Sequence, residues 1–271
     1  MSLSRSAVVC CDLDGVVWRG ETPIAGSAEG IARLRAAGLR VGFITNNSSI
    51  PIAGYVERLH AFGVPAVPDD VCTSAQAAAA LVASKVQPGA TVLACAGPGV
   101  IEALTERGLR AVDAGVVDGG PVDAVVVGFH RNFDFDRLTI AADAVRGSAL
   151  FVATNLDPTY PIAGGLVPGT GALVAAVATA AGRAPVVAGK PEQPMADLVR
   201  SRFGNDGIMI GDRPSTDGAF ARALGWPFAL VLSGVAGTDG EEPVPDPPPP
   251  FVAADLARLV PSILSTVAGG T

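Results

Sequence analysis

Two aspartates separated by one residue stand directly after a short apolar run, in the stretch Asp12-Leu13-Asp14-Gly15. In an open α/β sheet, ligands bind at the carboxyl ends of the strands, and both carboxylates would point the same way there. Carboxylates this close repel each other unless a cation lies with them. Mg²⁺, a hard ion served by carboxylate oxygens and water, is the natural cation. A common turn rich in Asp and Gly is the alternative interpretation of this stretch alone.

A second acidic stretch, Gly211-Asp212-Arg213 with Thr216-Asp217, follows the apolar residues 208–210. Asp212 would supply a third carboxylate to the same ion. Asp217 would begin the next helix, where the helix dipole favours an anion. The alternative is that Asp217 or Ser215 simply caps that helix, a role compatible with chemistry.

Two polar stretches have the composition of a phosphate site. Thr45-Asn46-Asn47-Ser48-Ser49 offers a hydroxyl, amides and backbone N–H groups after an apolar strand, as phosphate binding requires. Gly189-Lys190-Pro191 places a lysine at another strand end, where its point charge would neutralise phosphate oxygens. Taken singly, an ordinary polar loop and a solubilising lysine are the alternatives. All four stretches follow apolar strands, and their order favours phosphate chemistry.

The elements that position these stretches alternate regularly along the chain. β-Branched runs predict strands at 7–11, 40–45, 71–73, 91–94, 122–127, 150–153, 186–188, 208–210 and 228–232. Helical patterns lie between them, at 27–37, 51–62, 74–84, 99–107, 136–145, 171–181, 191–203, 215–224 and 252–266. This alternation predicts an α/β fold with a parallel sheet covered by helices.

Composition narrows the function classes. The net charge is −7 and no Lys/Arg run exists, which argues against a nucleic-acid partner. The longest Ala/Val-rich stretch, residues 172–182, is too short to span a bilayer, so no membrane partner is expected. The four cysteines fit neither a zinc site nor a disulfide framework, and the first residues do not have the pattern of a signal peptide. A cytoplasmic location is therefore expected.

The sequence resembles the haloacid-dehalogenase superfamily, in subclass IIA, the branch of p-nitrophenyl, phosphoglycolate and pyridoxal phosphatases. The four stretches above carry the resemblance, and 153–157 and 168–172 also look like segments of this branch. The resemblance implies a Rossmann-like core at 1–84 and 185–271, with an α/β cap domain inserted at 85–184. Where the branch often has an acidic residue, this chain has Ser215.

The resemblance also implies roles for individual residues. Asp12 would attack phosphorus and become an aspartyl-phosphate, and Asp14 would protonate the leaving oxygen and then activate water. The Mg²⁺ ligands would be Asp12, the backbone carbonyl of Asp14, and Asp212, supported by Asp217. The phosphoryl oxygens would be held by Gly15, Thr45, Asn46, Asn47 and Lys190.

An acid at position 14 favours a phosphatase or a phosphomutase over a dehalogenase within this superfamily. The stretch between Gly15 and Thr45 is too short for the small helical cap that mutases usually carry. The prediction is thus a Mg²⁺-dependent phosphatase acting on a small phosphorylated metabolite. A phosphomutase or phosphotransferase and a catalytically silent metabolite-binding protein on the same fold are the alternatives.

Substrate choice in capped enzymes lies with residues that close over the site. Asn155 and Asp157 are candidates in the predicted cap, as is the stretch His130-Arg131-Asn132, where a solvated turn histidine is the alternative. Small polyol phosphates, phosphoglycolate, nucleoside monophosphates and pyridoxal phosphate all remain open. By analogy with similar enzymes, pairing of two copies through the cap is expected.

Overall fold

The computed structural model describes residues 4, 6–116, 120–162, 165–236 and 242–268. Its α-helices are α1 (Ser27–Ala36), α2 (Ile52–Ala61), α3 (Ser74–Ala83), α4 (Pro98–Glu106), α5 (Phe135–Arg146), α6 (Thr170–Ala181), α7 (Gln193–Phe203), α8 (Ala219–Leu224) and α9 (Leu256–Ala268). Within the described residues, no helix combines the length and apolar character needed to cross a bilayer.

The strands fall between these helices. They are β1 (Val8–Cys11), β2 (Trp18–Arg19), β3 (Thr22–Pro23), β4 (Arg40–Thr45), β5 (Val71–Thr73), β6 (Thr91–Cys95), β7 (Arg110–Asp113), β8 (Ala124–Val127), β9 (Leu150–Ala153), β10 (Thr159–Ile162), β11 (Gly165–Pro168), β12 (Val186–Val187), β13 (Gly207–Gly211), β14 (Phe228–Val231) and β15 (Phe251–Ala253).

The chain divides into two compact units. Unit 1 comprises residues 1–45, 56–72 and 199–271, and unit 2 comprises residues 46–55 and 73–198. The expected core at 1–84 and 185–271 and the expected cap at 85–184 stay a prediction.

A six-stranded sheet, in the order β15-β14-β13-β1-β4-β5, organises unit 1. β1 pairs in parallel with both β13 and β4, and β14 pairs in parallel with both β13 and β15. All four residues of β1 are buried, as its unbroken apolar run requires for a central strand covered on both faces. The carboxyl ends of β1, β4 and β13 therefore lie along one edge of the sheet.

A five-stranded parallel sheet, in the order β12-β9-β8-β6-β7, organises unit 2. Its buried core includes Leu93, Val125, Phe151, Val174 and Val177, which join β6, β8 and β9 to α6. The hairpin β10-β11 is a separate antiparallel pair. The predicted α/β class, with parallel sheets flanked by helices, is confirmed.

Two predicted helices begin later than expected. The pattern at 252–266 predicts one helix, but Phe251–Ala253 forms β15 and α9 begins at Leu256. The pattern at 215–224 also predicts one helix, but Pro214–Gly218 is a turn of π-helix and α8 begins at Ala219. In both places a short apolar or turn-forming segment continues the helical periodicity, so the pattern alone does not separate the two elements.

Candidate active site

Three carboxylates meet at the edge of the unit 1 sheet. Asp12 follows β1 and Asp212 follows β13, and these strands are parallel neighbours with Cys11 beside Ile210. The Asp12 backbone N–H donates to the Ile210 carbonyl at 2.8 Å, which extends the pairing to Asp12 itself. One carboxylate oxygen each from Asp12, Asp212 and Asp217 lies within 4.8 Å of the others.

The Asp212 carboxylate is held tightly on several sides. The Val235 backbone N–H donates to Asp212 Oδ2 at 2.6 Å, and the residue is only 4% exposed. A Cβ atom at Gly15 would lie 2.3 Å from this oxygen, and one at Gly234 would lie 1.8 Å from it. Because neither position has room for a side chain, glycine at both is required for the carboxylate to sit where it does.

Asp217 lies in the π-helical turn before α8. Its Oδ2 accepts a hydrogen bond from the Arg213 backbone N–H at 3.1 Å, and the residue is 1% exposed. A Cβ atom at Gly211 would lie 2.3 Å from the Asp217 side chain, so this glycine permits the close approach.

Ser215 precedes this carboxylate and binds an acid from another segment. Its backbone N–H donates to Glu242 Oε2 at 3.0 Å, and its hydroxyl donates to Oε1 at 2.5 Å. The Glu242 carboxylate thus brings a negative charge to this turn, although residue 215 itself is uncharged.

The chemistry of these donors fits a hard divalent cation. Three carboxylates crowded within 4.8 Å, two of them buried, repel one another in the absence of positive charge. Oxygen ligands of this kind are those that Mg²⁺ prefers. The donor set therefore fits the metal expected from the sequence.

The loop after Asp12 is shaped by contacts that sequence reasoning did not find. Trp18 Nε1 donates to Asp14 Oδ1 at 3.1 Å, and the Gly15 backbone N–H donates to the Trp18 carbonyl at 2.7 Å. Gly15 has φ +83°, in the left-handed region that favours glycine. The Ser233 hydroxyl donates to the Gly15 carbonyl at 2.6 Å. The sequence hints at the first of these contacts only through a tryptophan four residues after Asp14, and nothing near Ser233 predicts its bond to Gly15.

Thr45 is the last residue of β4, in unit 1, and is buried. The remaining predicted phosphate-binding side chains, Asn46, Asn47 and Lys190, belong to unit 2. The structure therefore distributes the predicted site residues over both units.

Asn46 is the centre of a hydrogen-bonded group in unit 2 that also contains Asn155, Asp157 and Lys190. Its Oδ1 accepts from the Lys190 backbone N–H at 2.8 Å, and its Nδ2 donates to the Lys190 carbonyl and to Asp157 Oδ2, each at 3.1 Å. One amide side chain thus fixes the backbone that carries the lysine. Lys190 itself is buried, with 3% exposure.

The two predicted cap residues lie in this group. Asn155 Nδ2 donates to the Asn46 carbonyl at 2.6 Å, and Asn155 Oδ1 accepts from the Asp157 backbone N–H at 3.0 Å. The side-chain amide of Asn155 is therefore engaged with backbone groups. Contact of Asn155 or Asp157 with a substrate stays a prediction.

Asn47 organises the residues that follow it. Its Oδ1 accepts from the backbone N–H of Ser49 at 2.9 Å and from the Ser49 hydroxyl at 2.7 Å. Its Nδ2 donates to the Tyr160 hydroxyl at 3.3 Å, and its carbonyl accepts from the Tyr55 hydroxyl at 2.9 Å. Asn47 therefore links the loop after β4 to the hairpin of unit 2.

His130 is buried, contrary to the interpretation as a solvated turn histidine. Its Nδ1 lies 2.9 Å from the Gly128 carbonyl, which requires a hydrogen on that nitrogen. Burial lowers the pKa of the imidazole below its usual value, although the Gly128 hydrogen bond opposes the shift. His130 is thus a neutral side chain at physiological pH.

Comparison with known proteins places this geometry in a family. A model described as haloacid dehalogenase-like hydrolase matches residues 9–110, and a second, described as HAD-hydrolase-like, matches residues 187–259. The D-glycerol 3-phosphate phosphatase of Mycobacterium tuberculosis is 38% identical over 250 residues, covering 92% of this chain and 69% of the relative. Human chronophin is 37% identical over 250 residues, covering 86% of this chain and 83% of the relative.

Solved structures give the same grouping. The M. tuberculosis glycerol phosphate phosphatase in complex with magnesium has a TM-score of 0.84 at 36% identity, covering 96% of this chain and 79% of that one. The p-nitrophenyl phosphatase from Archaeoglobus fulgidus also has a TM-score of 0.84, at 30% identity, covering 96% of this chain and 99% of that one.

Proposed function

Because the chain belongs to the haloacid dehalogenase-like hydrolases, we propose that it is a Mg²⁺-dependent phosphatase that uses Asp12 as its nucleophile. The observation that supports this most strongly is the meeting of Asp12, Asp212 and Asp217 at the ends of neighbouring strands in unit 1. The substrate class is a small phosphorylated metabolite, in keeping with the relatives that are named glycerol 3-phosphate phosphatase.

Mg²⁺ would be held by Asp12, the backbone carbonyl of Asp14, and Asp212, with Asp217 behind them. The Val235 N–H and the two close glycines keep the Asp212 carboxylate in one orientation, which supports its role as a ligand. When bound, the ion supplies positive charge that offsets the repulsion between the carboxylates and the incoming phosphate.

The reaction proceeds in two transfers. An Asp12 carboxylate oxygen attacks phosphorus, the bond to the ester oxygen breaks, and Asp14 donates a proton to the departing alcohol. Asp14, now a carboxylate, takes a proton from a water molecule whose oxygen attacks the phosphorus of the aspartyl-phosphate, and the bond between phosphorus and the Asp12 oxygen breaks. Inorganic phosphate leaves, and both aspartates return to their starting state. The Trp18 N–H bond to Asp14 Oδ1 supports this role because it orients the carboxyl group.

The phosphoryl oxygens need fixed donors and positive charge in the transition state. We propose that Gly15, Thr45, Asn47 and Lys190 supply them, with Asn46 contributing its backbone N–H, because both hydrogens of its side-chain amide are already donated to the Lys190 carbonyl and to Asp157. The double attachment of Asn46 to the Lys190 backbone supports this, because it ties the polar loop after β4 to the lysine. Asn155 and Asp157 act through the same group, by holding Asn46 in place.

The direct test is Mg²⁺-dependent release of p-nitrophenol from p-nitrophenyl phosphate, comparing wild type with Asp12→Asn. Loss of the nucleophile should lower kcat by at least about a thousandfold without unfolding the protein. Equal turnover by the two proteins would remove Asp12 from the mechanism. A wild type without turnover would favour the silent metabolite-binding alternative, and phosphate passed to a second sugar would favour a phosphotransferase.

The natural ester is identified by a panel of phosphorylated metabolites, with glycerol 3-phosphate included because several relatives are named for glycerol phosphate. Pairing of two copies through the cap, a cytoplasmic location, and the absence of nucleic-acid and membrane partners stay predictions.

A further inference from the structure

The π-helical turn Pro214–Gly218, which carries Asp217, needs a hydrogen-bond acceptor at its start. The first N–H groups of a helical turn have no acceptor within the turn. Pro214 has no N–H, so Ser215 is the first residue whose N–H needs a partner. The preceding residue, Arg213, has only donors in its side chain and cannot act as the usual capping acceptor. The acceptor must therefore come from another part of the chain.

Glu242 supplies this acceptor from a distant position in the sequence. Its Oε2 accepts from the Ser215 backbone N–H at 3.0 Å, and its Oε1 accepts from the Ser215 hydroxyl at 2.5 Å. Both carboxylate oxygens thus bond to one residue, which fixes the direction of the contact as well as its distance. Hydrogen bonds to a charged acceptor are roughly twice as strong as neutral ones, so this is a firm attachment for the start of the turn.

The turn that Glu242 holds is the one that orients Asp217. The N–H groups of Thr216 and Asp217 donate to the Arg213 carbonyl at 3.2 and 2.7 Å. The Arg213 N–H donates in return to Asp217 Oδ2 at 3.1 Å. Ser215 lies between Arg213 and these donors, so a displaced Ser215 opens the turn. The orientation of the buried Asp217 carboxylate therefore depends on the contact that Ser215 makes with Glu242.

Glu242 is also tied to the second buried carboxylate of the site. Glu242 and Ala236 pair in an isolated parallel β-bridge. The Ala236 backbone N–H donates to the Asp212 carbonyl at 3.0 Å. A continuous path of contacts within unit 1 thus joins Asp212 to Glu242 and, through the turn, to Asp217.

We propose that Glu242 is a positioning residue of the Mg²⁺ site, which holds Asp217 and Asp212 at the spacing that the ion requires without being a ligand. Glu242 lies outside the group of three close carboxylates found among the described residues, and it acts on them through Ser215. This inference rests on the proposed function, because it concerns the same metal site.

The test measures Mg²⁺ binding in the absence of substrate, so its readout is independent of turnover. The Tm of the metal-free protein is followed against Mg²⁺ concentration at physiological ionic strength, and the rise in Tm gives the apparent Kd. The variants are Glu242→Ala, Glu242→Gln and, as a matched control, Asp246→Asn. Asp246 is an exposed acid close to Glu242 in sequence, so the control removes the same charge from the same segment.

We expect the Kd for Mg²⁺ to rise about tenfold in Glu242→Ala, at the lower end of the range for residues that support metal ligands. Glu242→Gln keeps the shape and one acceptor but loses the charge. Because a neutral hydrogen bond has roughly half the strength of a charged one, about half of the free energy is lost and the Kd should rise about threefold. Asp246→Asn should stay within about twofold of wild type, since salt screens an exposed charge.

A double variant tests whether the effect passes through Ser215. Ser215→Ala removes the hydroxyl and leaves the N–H, so the Kd for Mg²⁺ should rise about threefold. The double variant Ser215→Ala/Glu242→Ala should bind Mg²⁺ about as Glu242→Ala does, because the hydroxyl has then already lost its acceptor. Rises that add in full would contradict a route through Ser215.

Two further results would overturn the inference while leaving the phosphatase intact. One is a Kd for Mg²⁺ in Glu242→Ala equal to that of Asp246→Asn, in proteins that still hydrolyse p-nitrophenyl phosphate. The other is a lower urea-unfolding stability in both Glu242 variants with an unchanged Kd, which would mark a purely structural cap. If Glu242→Ala does not fold, Glu242→Gln decides on the same criterion. A wild type whose Tm does not respond to Mg²⁺ and that releases no p-nitrophenol would instead contradict the proposed function.

Discussion

A methyl group at Gly15 should weaken the metal site by displacing one carboxylate. The Cβ of Gly15→Ala would lie 2.3 Å from Asp212 Oδ2 and 2.4 Å from its Cγ, well inside van der Waals contact. The Asp212 side chain has little freedom to retreat, because Oδ2 is bound by the Val235 N–H at 2.6 Å. The clash must therefore break that bond or shift the loop.

The energetic cost has two parts that controls can separate. Alanine in the left-handed region costs about 1–2 kcal/mol, and a lost hydrogen bond to a charged group costs about 1.5–3 kcal/mol. Gly38→Ala bears only the first cost, because Gly38 has φ +84° and nothing lies within 4 Å of its Cβ position. Gly234→Ala bears only the second, because its Cβ would lie 1.8 Å from Asp212 Oδ2 while its φ lies outside the left-handed region.

The assays are urea unfolding of the metal-free protein, the rise in Tm with added Mg²⁺, and the Mg²⁺ concentration for half-maximal turnover of p-nitrophenyl phosphate. We expect Gly15→Ala to lose about 3 kcal/mol or more of unfolding free energy and Gly38→Ala about 1 kcal/mol. Misplacing a ligand through its supporting contacts should raise the Mg²⁺ requirement about 10–100-fold in Gly15→Ala and Gly234→Ala. If Gly15→Ala needs no more Mg²⁺ than Gly38→Ala, Asp212 is not a metal ligand fixed in this way.

Three further predictions follow from contacts described above. Ser233→Ala removes the hydrogen bond to the Gly15 carbonyl, so the Mg²⁺ concentration for half-maximal turnover should rise about threefold to tenfold. Ser233→Thr keeps the hydroxyl and should stay near wild type. Equal Mg²⁺ requirements in the wild type and both variants would show that Ser233 does not support the site. Asn155→Ala should cost about 2 kcal/mol in urea unfolding, because it removes two hydrogen bonds at about 1 kcal/mol each, one to the Asn46 carbonyl, which keeps the Ser74 hydroxyl as a donor, and one from the Asp157 N–H. A loss below about 0.5 kcal/mol, the ordinary scale of surface substitutions, would contradict this. Burial raises the pKa of the Cys11, Cys72 and Cys95 thiols to about 12, and all four cysteines are buried. A disulfide reagent at pH 8 should therefore leave the native protein unlabelled and label all four cysteines in guanidinium. Rapid labelling of the native protein would show that a thiol is accessible.

The acidic part of the site could be anticipated from strand ends. Asp12 and Asp212 each follow an unbroken apolar run, and parallel pairing brings the ends of such runs to one edge of a sheet. Parallel pairing alone brings Asp12 and Asp212 together, so their long separation in sequence does not weaken the prediction.

The supporting contacts lay beyond sequence reasoning for a physical reason. The residues that make these contacts lie after β14, in a connection without a periodic pattern, and they are Ser233, Val235 and Glu242. In such a segment the sequence does not predict which group a side chain or backbone N–H will bond to. The same holds for Asn46, whose amide bonds to the backbone N–H and carbonyl of Lys190 as well as to the Asp157 carboxylate. Backbone partners of this kind leave no signature in the residue types.

The short strands were missed for a different reason. β15 has three residues beside a strongly amphipathic helix, and its apolar residues continue the helical pattern. Its identity depends on pairing with β14, where Phe251 lies beside Ala229, and a local pattern does not contain that information.

The parallel pairing of β1 with β13 has a consequence for how the protein is made. β1 is synthesised before both of its neighbours and can pair with β4 soon afterwards, but β13 follows only after the whole of unit 2 has been synthesised. Until then one edge of β1 is unpaired, and Asp12 lacks both carboxylates that later surround it. The proposed Mg²⁺ site therefore forms late in synthesis, and we expect the nascent chain to show no Mg²⁺-dependent activity before residues 207–217 have been made.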